Sequence, residues 1–212
     1  MSKFKVIIKK INTEYIDNNY DRLVSGLYEQ RKKAVEKLKY KKAAYTSIMA
    51  GYLLIEAFKD VYGVDNTDIM IGKGEFGKPY VEDYPEFKYN ISHSCDYVAI
   101  VYGKEDVGID VEQVREKDLK IAKRCFHEDE FAYIIKDEYG QDERFFEIWT
   151  MKEAYLKYTG QGINIPLNSF VAEPDKAQIR NLNVNMEIKK IDNAVVSVCS
   201  RDISDIEYKI HI

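Results

Sequence analysis

Two carboxylates in one short strand are the residues of this sequence best suited to chemistry. The segment 107–112 reads VGIDVE, a predicted strand that carries Asp110 and Glu112 among apolar neighbours. Side chains two residues apart leave the same face of a strand, with Cα atoms about 6–7 Å apart. The two acids therefore repel each other unless a positive group lies between them. A hard cation, Mg²⁺ or Mn²⁺, suits such a pair. The alternative is an edge strand with one solvated face.

A helix predicted over 143–158 carries the second candidate group. Its apolar stripe recurs at helical spacing and consists of Phe145, Ile148, Trp149, Lys152, Tyr155 and Leu156. Lys152 is the unexpected member, because an aliphatic residue is usual at such a position. Glu153 and Lys157 lie one turn apart on an adjoining face. The simplest interpretation of this pair is a surface salt bridge, which contributes little to stability.

Three basic or glycine-rich segments are candidates for holding phosphate. The segment 72–80 contains three glycines, a proline and Lys78. It lacks the following helix and the Lys-Ser/Thr ending of a P-loop, so it is either a plain turn or a loop that holds a ligand on its amides. His93 closes a strand predicted over 87–94 and is placed to donate to a phosphate or to a structural acceptor. The basic run 31–42 is either a solvated helix face or a seat for a polyanionic small molecule.

The remaining pattern predicts alternating strands and helices. A strand over 3–11 precedes a helical region over 18–62 that is broken near 38–41 and stopped by Gly63. Strands over 87–94, 97–102 and 107–112 are expected to form a three-strand meander. A helix begins near 128–130, and three strands over 186–191, 194–200 and 205–212 complete the second half.

Composition limits the class of protein. The chain has 212 residues and a net charge of −4, which argues against a general nucleic-acid binder. No apolar run is long enough for a transmembrane helix, and the lysine-rich start is not a signal peptide. The three cysteines lack metal-ligand spacing, so we expect reduced thiols and a cytoplasmic location. The segment 115–124 is basic within an acidic second half, which makes it a candidate contact for an acidic partner.

Four motifs in one order resemble a known family, the Sfp-type 4′-phosphopantetheinyl transferases. They are Gly77-Lys78-Pro79, Asn90-Ile91-Ser92-His93-Ser94, Gly108-Ile109-Asp110-Val111-Glu112 and Trp149-Thr150-Met151-Lys152-Glu153-Ala154-Tyr155-Leu156-Lys157. The stretch 122–126 with Glu130 is similar to the family's intervening segment. The resemblance is strong over about 72–170. It departs at Cys125, where an aromatic residue is common, and at His127, where a serine often caps the helix.

The resemblance implies an α+β fold of two similar α/β subdomains, 1–104 and 105–212, related by a pseudo-twofold axis. It implies coenzyme A as the substrate, bound between the subdomains, and an acyl or peptidyl carrier protein as the acceptor. Such a protein is expected to act as a monomer, without nucleic acid or membrane, and to serve fatty-acid, polyketide or peptide biosynthesis, including secondary metabolites. Its product besides the holo carrier is 3′,5′-ADP.

The resemblance also implies roles for individual residues. Mg²⁺, with Mn²⁺ as an alternative, is assigned to Asp110, Glu112 and Glu153. Glu153 is the expected general base and Lys157 the residue that stabilises transferring charge, with Asp110 as the third catalytic residue. The expected coenzyme A contacts are Lys78, Pro79, Ser92, His93, Lys152 and one or more of Arg31, Lys32 and Lys33.

Two other functions fit parts of the pattern. One is a different Mg²⁺-dependent phosphate enzyme, such as a nucleotide hydrolase, which would release ADP without a carrier protein. The other is a non-catalytic module that binds coenzyme A or a carrier domain. A module of that kind predicts the loss of an acid or base among Asp110, Glu112, Glu153 and Lys157, and all four are present.

Overall fold

The chain passes twice through the same order of elements. The computed structural model describes residues 3–63 and 69–212. The first pass consists of β1 (Phe4–Lys10), α1 (Thr13–Asn18), α2 (Tyr20–Ser25), α3 (Glu29–Glu36), α4 (Lys41–Tyr62), β2 (Ile71–Lys73), β3 (Pro79–Val81), β4 (Lys88–Ser94) and β5 (Tyr97–Gly103). The second pass consists of β6 (Gly108–Gln113), α5 (Leu119–Cys125), α6 (Glu128–Ile135), α7 (Gln141–Thr159), β7 (Ala172–Glu173), β8 (Gln178–Ile179), β9 (Asn185–Ile191) and β10 (Ala194–Ser200), and β11 (Ile206–His211) follows it. Short 3₁₀ turns lie at Gly162–Asn164, Leu167–Ser169 and Pro174–Lys176.

Two sheets reflect this repetition. The first has the strand order β11-β1-β5-β4, the second has the order β6-β10-β9-β8-β7, and β2 and β3 form a separate two-stranded sheet. In each sheet the strand that opens a pass pairs antiparallel with the strand that closes it, and that strand pairs with the one before it. The predicted α+β fold of two similar subdomains is therefore confirmed.

The core has four layers, in the order α4, first sheet, second sheet, α7. Apolar residues between α4 and the first sheet form one cluster, and those between the second sheet and α7 form another. A third cluster lies between the sheets and contains Val6 and Val101 of the first with Ile109 and Val111 of the second. Because side chains alternate along β6, burial of Ile109 and Val111 between the sheets leaves Asp110 on the α7 side.

Several predicted elements are confirmed within a few residues. Strand β1, the strands β9 and β10 with their turn, and helix α7 agree with the sequence pattern. Helix α4 ends at Gly63, whose φ of 70° is the left-handed conformation that glycine adopts easily. Helix α6 begins at Glu128, and its N-cap residue His127 supplies the capping side chain where the resembling family often has a serine. Within the described residues, no helix is long and apolar enough to span a membrane.

The predicted three-strand meander is wrong, and two further features were not anticipated. Strands β4 and β5 pair, but β6 belongs to the other sheet and does not extend a meander. Its apolar face covers the face of the first sheet, and periodicity alone does not distinguish that arrangement from edge pairing. The last strand, β11, pairs parallel with β1 of the first sheet. The helical region begins at Thr13 and, besides the predicted break near 38–41, is interrupted at Asn19 and between α2 and α3.

The contact between β6 and α7 leaves no room for a side chain at Gly108. A Cβ atom there would lie 2.1 Å from the carbonyl oxygen of Ala154 and 2.4 Å from the amide nitrogen of Tyr158. Both clashing atoms belong to the helix backbone, so a side-chain rotation cannot relieve them. The glycine therefore sets the distance between the strand that carries Asp110 and the helix that carries Glu153 and Lys157.

We expect Gly108→Ala to lower the free energy of unfolding by about 1–3 kcal/mol or more, because the helix must move away from the strand. Urea denaturation measures this change. Gly74→Ala is the matched control, since its Cβ atom would lie at an ordinary 3.5 Å from the carbonyl oxygen of Lys78. Equal stability of the two variants would contradict the close contact.

Candidate functional site

A cleft lies between the β2–β3 hairpin, β4 and the C-terminal half of α7. Its cavity volume is about 300 Å³, at the lower end of the range of roughly 300–1,000 Å³ typical of small-molecule sites. The residues predicted from sequence that line it are Lys78, Pro79, Glu153 and Lys157. The turn before β3 and the turns of α7 that follow Lys152 thus meet, although they lie far apart in the sequence.

Lys78 fixes the hairpin to the end of α7. Its Nζ donates to the carbonyl oxygen of Tyr158 at 2.9 Å and to that of Val107 at 3.3 Å. The methylene chain lies against Gly160, where a Cβ atom would be 3.2 Å from Cδ of the lysine. Burial lowers the pKa of Lys78, and the Asp106 carboxylate opposes this shift. The ammonium group satisfies one carbonyl at the C-terminus of α7 and one just before β6, while the side chain lines the cleft.

Asp110 is the most deeply buried acid of the site. Its Oδ1 accepts hydrogen bonds from Ser92 Oγ at 2.8 Å and from Lys157 Nζ at 2.6 Å. Its Oδ2 is buried and has no hydrogen-bond partner. Burial raises the pKa of Asp110, whereas Lys157 and Ser92 lower it. The free Oδ2 is an acceptor that has lost its water and gained no replacement, which costs free energy.

Glu112 lies next to Asp110 on the same side of β6, as the strand alternation predicted. Its Oε2 accepts hydrogen bonds from Ser94 Oγ and, at 3.0 Å, from Arg115 Nη1. Arg115 also donates to the carbonyl oxygen of Gln113 at 2.7 Å and stacks over the ring of Phe146. The first carboxylate is thus paired with a lysine of α7 and the second with an arginine of its own loop.

Glu153 lines the cleft beside these two acids. Burial raises the pKa of Glu153, and the nearby charges of Asp110 and Glu112 raise it further, whereas Lys157 lowers it. A carboxylate with a raised pKa is a stronger base once it has lost its proton. The three acids predicted as metal ligands are therefore close enough to influence one another.

The donors fit a hard cation chemically. Carboxylate oxygens are the ligands that Mg²⁺ and Mn²⁺ prefer, and the buried Oδ2 of Asp110 is an unused one. Among residues 3–63 and 69–212, however, no three His, Cys, Asp or Glu side chains have the arrangement of a completed metal site. Two of the acids are turned to Lys157 and Arg115. A shared ion therefore requires Lys157 and Arg115 to move away from the two carboxylates.

His93 lies close enough to Lys157, Glu112 and Arg31 to be affected by their charges. Partial burial lowers the pKa of His93, and the charges of Lys157 and Arg31 lower it further, whereas Glu112 opposes them. Arg31 packs against Gly51 of α4 and donates to Tyr28 Oη at 3.1 Å. His93 itself remains accessible at the end of β4.

The structure distinguishes Arg31, Lys32 and Lys33, the three basic residues of α3 that the sequence left as alternative ligand contacts, by their interactions. Lys32 and Lys33 form ion pairs with Glu29 one turn earlier, at 3.7 and 3.3 Å. Arg31 alone among the three affects the pKa of His93. The effect of its charge on His93, together with the pairing of Lys32 and Lys33 to Glu29, favours Arg31 as the member of this group that belongs to the site.

The expected coenzyme A contact at Lys152 is not supported by its position. Its side chain is fully buried, and Nζ is bonded to Glu130 Oε1 at 2.7 Å, the carbonyl oxygen of Leu167 at 2.7 Å and that of Phe170 at 2.6 Å. These three acceptors use all three N–H donors of the ammonium group. The ring of Phe170 also lies 4.3 Å from Nζ. Lys152 therefore connects α7 to α6 and to the loop that follows α7, and we remove it from the candidate ligands.

Sequence reasoning missed two residues that position the acids. Asn90 Oδ1 accepts the amide of Ile109 at 3.0 Å, and Ser94 Oγ accepts the amide of Gln113 at 3.4 Å. Ser92, which lies between them, accepts the amide of Val111 at 3.3 Å. The available signal was the alternation of polar residues at 90, 92 and 94, all on one face of β4.

Comparison with known proteins shows the family to which the chain is related. The family described as the 4′-phosphopantetheinyl transferase superfamily matches residues 106–201, and the family described as 4′-phosphopantetheinyl transferase, N-terminal, matches residues 14–105. The transferase gsp of Aneurinibacillus migulanus is 33% identical over 82% of this chain and 73% of its own length. The transferase Sfp of Bacillus subtilis is 31% identical over 71% of this chain and 67% of its own. HetI of Nostoc is 34% identical over 72% of this chain and 65% of its own.

The α+β fold of two related halves and these relatives define a class of transferase enzymes. The chain belongs to the 4′-phosphopantetheinyl transferases, and within them to the Sfp type.

A structural role for Lys152 predicts a specific pattern of stability. Lys152→Met leaves the Glu130 carboxylate buried without its cation, so we expect a loss of about 3–5 kcal/mol in the free energy of unfolding. Glu130→Gln combined with Lys152→Met removes both charges and should recover part of that loss. Urea denaturation measures both changes, and Lys176→Met, at an exposed ion pair with Glu173, is the control. A Lys152→Met protein of normal stability that has lost coenzyme A affinity would contradict the structural role.

Proposed function

We propose that this transferase moves 4′-phosphopantetheine from coenzyme A to a serine hydroxyl of an acyl or peptidyl carrier protein. The observation that carries the proposal is the meeting of Glu153 and Lys157 of α7 with Asp110 and Lys78 at one cleft. A base, two cations and a free carboxylate oxygen are what transfer of a phosphate ester requires. In the reaction the serine oxygen forms a bond to phosphorus, and the bond from that phosphorus to 3′,5′-ADP breaks.

The first half of the chain is proposed to bind the nucleotide. Arg31 and His93 belong to this half and lie close enough for the arginine charge to act on the imidazole, and Lys78 lines the cleft. Cationic and N–H donors in these positions suit the phosphates of coenzyme A. Ser92 is 4% exposed and is already bonded to Asp110 and Lys157. We therefore assign it to orienting those two groups and give it no ligand contact of its own.

Glu153 is proposed to take the proton of the carrier serine. Its raised pKa, caused first by burial and then by the two neighbouring acids, supports this role. Lys157 is proposed to stabilise the negative charge that develops on the phosphates during transfer. The Lys157 ammonium group donates hydrogen bonds to Ser92 and Asp110. These bonds hold it at the cleft in a position to meet the substrate.

Asp110, Glu112 and Glu153 are proposed to hold Mg²⁺, or Mn²⁺ in its place. When bound, such an ion neutralises phosphate charge and assists the departure of the leaving group. The unpartnered Asp110 Oδ2 supports this assignment.

The division into a nucleotide-binding half, 1–104, and a half with the acids and carrier contact, 105–212, is likewise proposed. The two family matches meet at residues 105 and 106, which supports that boundary. Strand β11 is an exception in topology, because it belongs to the second segment but pairs with β1.

The decisive experiment compares the wild type with Glu153→Gln. Candidate apo carriers are incubated with coenzyme A and Mg²⁺, and intact-mass spectrometry follows the addition of phosphopantetheine. The glutamine keeps the size and one oxygen but cannot accept a proton, so we expect kcat to fall by about 10²–10⁴. Release of ADP without modification of any carrier would favour a hydrolase, and coenzyme A binding without turnover would favour a binding module. Full activity of Glu153→Gln would exclude it as the base.

Helix α5 is proposed to contact the carrier protein. Within the described residues, its exposed Lys120, Lys123 and Arg124 have no acidic partner, whereas Arg115 is committed to Glu112. Carriers of this class usually present an acidic helix, which such a surface attracts. The proposed carrier contact, which the sequence placed in the basic segment 115–124, is therefore limited to the basic residues of α5.

Charge reversal tests this contact. Lys120→Glu with Arg124→Glu should raise the carrier KM by roughly tenfold at low salt, with little effect on the KM for coenzyme A. The defect should shrink at high salt because charges are screened. Lys104→Glu with Arg201→Glu changes net charge equally outside α5 and is the control. A loss of coenzyme A affinity with normal carrier KM would assign α5 to the nucleotide.

A further inference from the structure

The two halves are joined along β6 by side chains of β4. One edge of β6 is paired through its backbone to β10. On the other edge, the amides of residues 109, 111 and 113 donate to Asn90 Oδ1, Ser92 Oγ and Ser94 Oγ at 3.0, 3.3 and 3.4 Å. Three polar side chains of the first sheet thus take the place of a neighbouring strand. We call these three residues the β4 ladder.

Ser94 has a second bond that distinguishes it within the β4 ladder. Its hydroxyl accepts the amide of Gln113 and donates to Glu112 Oε2. Only 8% of Ser94 is exposed, so water cannot readily replace the hydroxyl. One short side chain therefore fixes both the backbone of β6 and the carboxylate that leaves it.

Glu112 has a competing partner on its solvent side. Arg115 Nη1 bonds to the same Oε2 at 3.0 Å, and the arginine side chain is 41% exposed. The Asp110 carboxylate has no comparable competitor on the solvent side, because it is 5% exposed and is hydrogen-bonded to Lys157. Without the Ser94 hydroxyl, Glu112 keeps only the bond that draws it towards solvent and away from Asp110.

We propose that Ser94 is a positioning residue that holds the Glu112 carboxylate in the orientation needed for a divalent cation. This role rests on the proposed function, in which Glu112 is a metal ligand. Hydrogen bonds to ligating groups orient them, and their removal typically weakens metal affinity by about 10–100-fold. The nucleotide half of the chain therefore takes part in forming the metal site without supplying a ligand to it.

Direct metal binding tests the role. Mn²⁺ is titrated by calorimetry into the protein saturated with coenzyme A, and the Mg²⁺ concentration for half-maximal transfer is measured separately. Ser94→Ala should weaken Mn²⁺ binding by about 10–100-fold and raise the Mg²⁺ requirement by a similar factor. Transfer at saturating Mg²⁺ should change far less, and Ser94→Thr, which keeps the hydroxyl, should restore affinity. Ser200→Ala, which removes another buried serine bonded to the backbone of Asp106, should leave Mn²⁺ affinity unchanged.

A double-mutant comparison separates positioning from a general loss of structure. In a Glu112→Gln background, Ser94→Ala should have little further effect on Mn²⁺ affinity, since the group it orients is no longer a carboxylate. If Ser94→Ala fails to fold, Ser94→Cys keeps the volume with a weaker donor and serves the same comparison.

Two results would overturn the proposal in distinguishable ways. Wild-type affinity in Ser94→Ala, or an equal loss with and without Glu112, would remove the role of Ser94 and leave the proposed function intact. A wild-type protein that binds no Mn²⁺ and transfers without a metal would overturn the metal assignment, and the role of Ser94 with it.

Discussion

The ion pair between Asp110 and Lys157 is the interaction on which the site depends. Asp110 is almost completely buried, and an unpaired carboxylate in that position would cost several kcal/mol. Lys157 Nζ at 2.6 Å and Ser92 Oγ at 2.8 Å compensate one oxygen only. The arrangement is possible because Gly108 lets α7 approach β6 closely enough for the lysine to reach the strand. Asp110 is therefore held in a fixed orientation in which its Oδ2 has no hydrogen-bond partner and is free to bind a cation.

Two lysines of helix α7 have different roles, one structural and one proposed to act on the substrate. Lys152 is enclosed, and its three donors are used by Glu130 and two carbonyl groups. Lys157, about one and a half turns later, lies at the mouth of the cleft. The first fixes the helix to its surroundings, and the second presents a charge to the proposed substrate. Glu153 lies between them in the sequence. Lys152 therefore fixes the face of α7 that is packed against the protein, while Glu153 and Lys157 line the cleft.

The local sequence pattern was sufficient to predict the relative placement of the two carboxylates of β6, but not the elements that surround them. The alternation of apolar and acidic residues in β6 placed Asp110 and Glu112 on one face, because a strand allows no other arrangement. The partner strand could not be predicted, since Ile109 and Val111 suit either a meander or the space between two sheets. Lys152 occupied a core position in the helical stripe, yet its acceptors come from α6 and from a later loop, which no spacing rule connects to it. Arg31 could not be separated from its neighbours, because that choice depends on which side of α3 faces α4.

The pairing of β1 with β11 has a consequence for synthesis of the chain. These strands are parallel neighbours, with Phe4 opposite Ile206, so almost the whole sequence lies between the two partners. During translation β1 can pair with β5 early, but its other edge stays open until residues 206–211 have left the ribosome. Contacts of such long range form slowly, and an open strand edge is where nascent chains associate wrongly. The half-buried lysines at positions 5 and 9, which lie on the same face of β1, place charge on this strand while its edge is open.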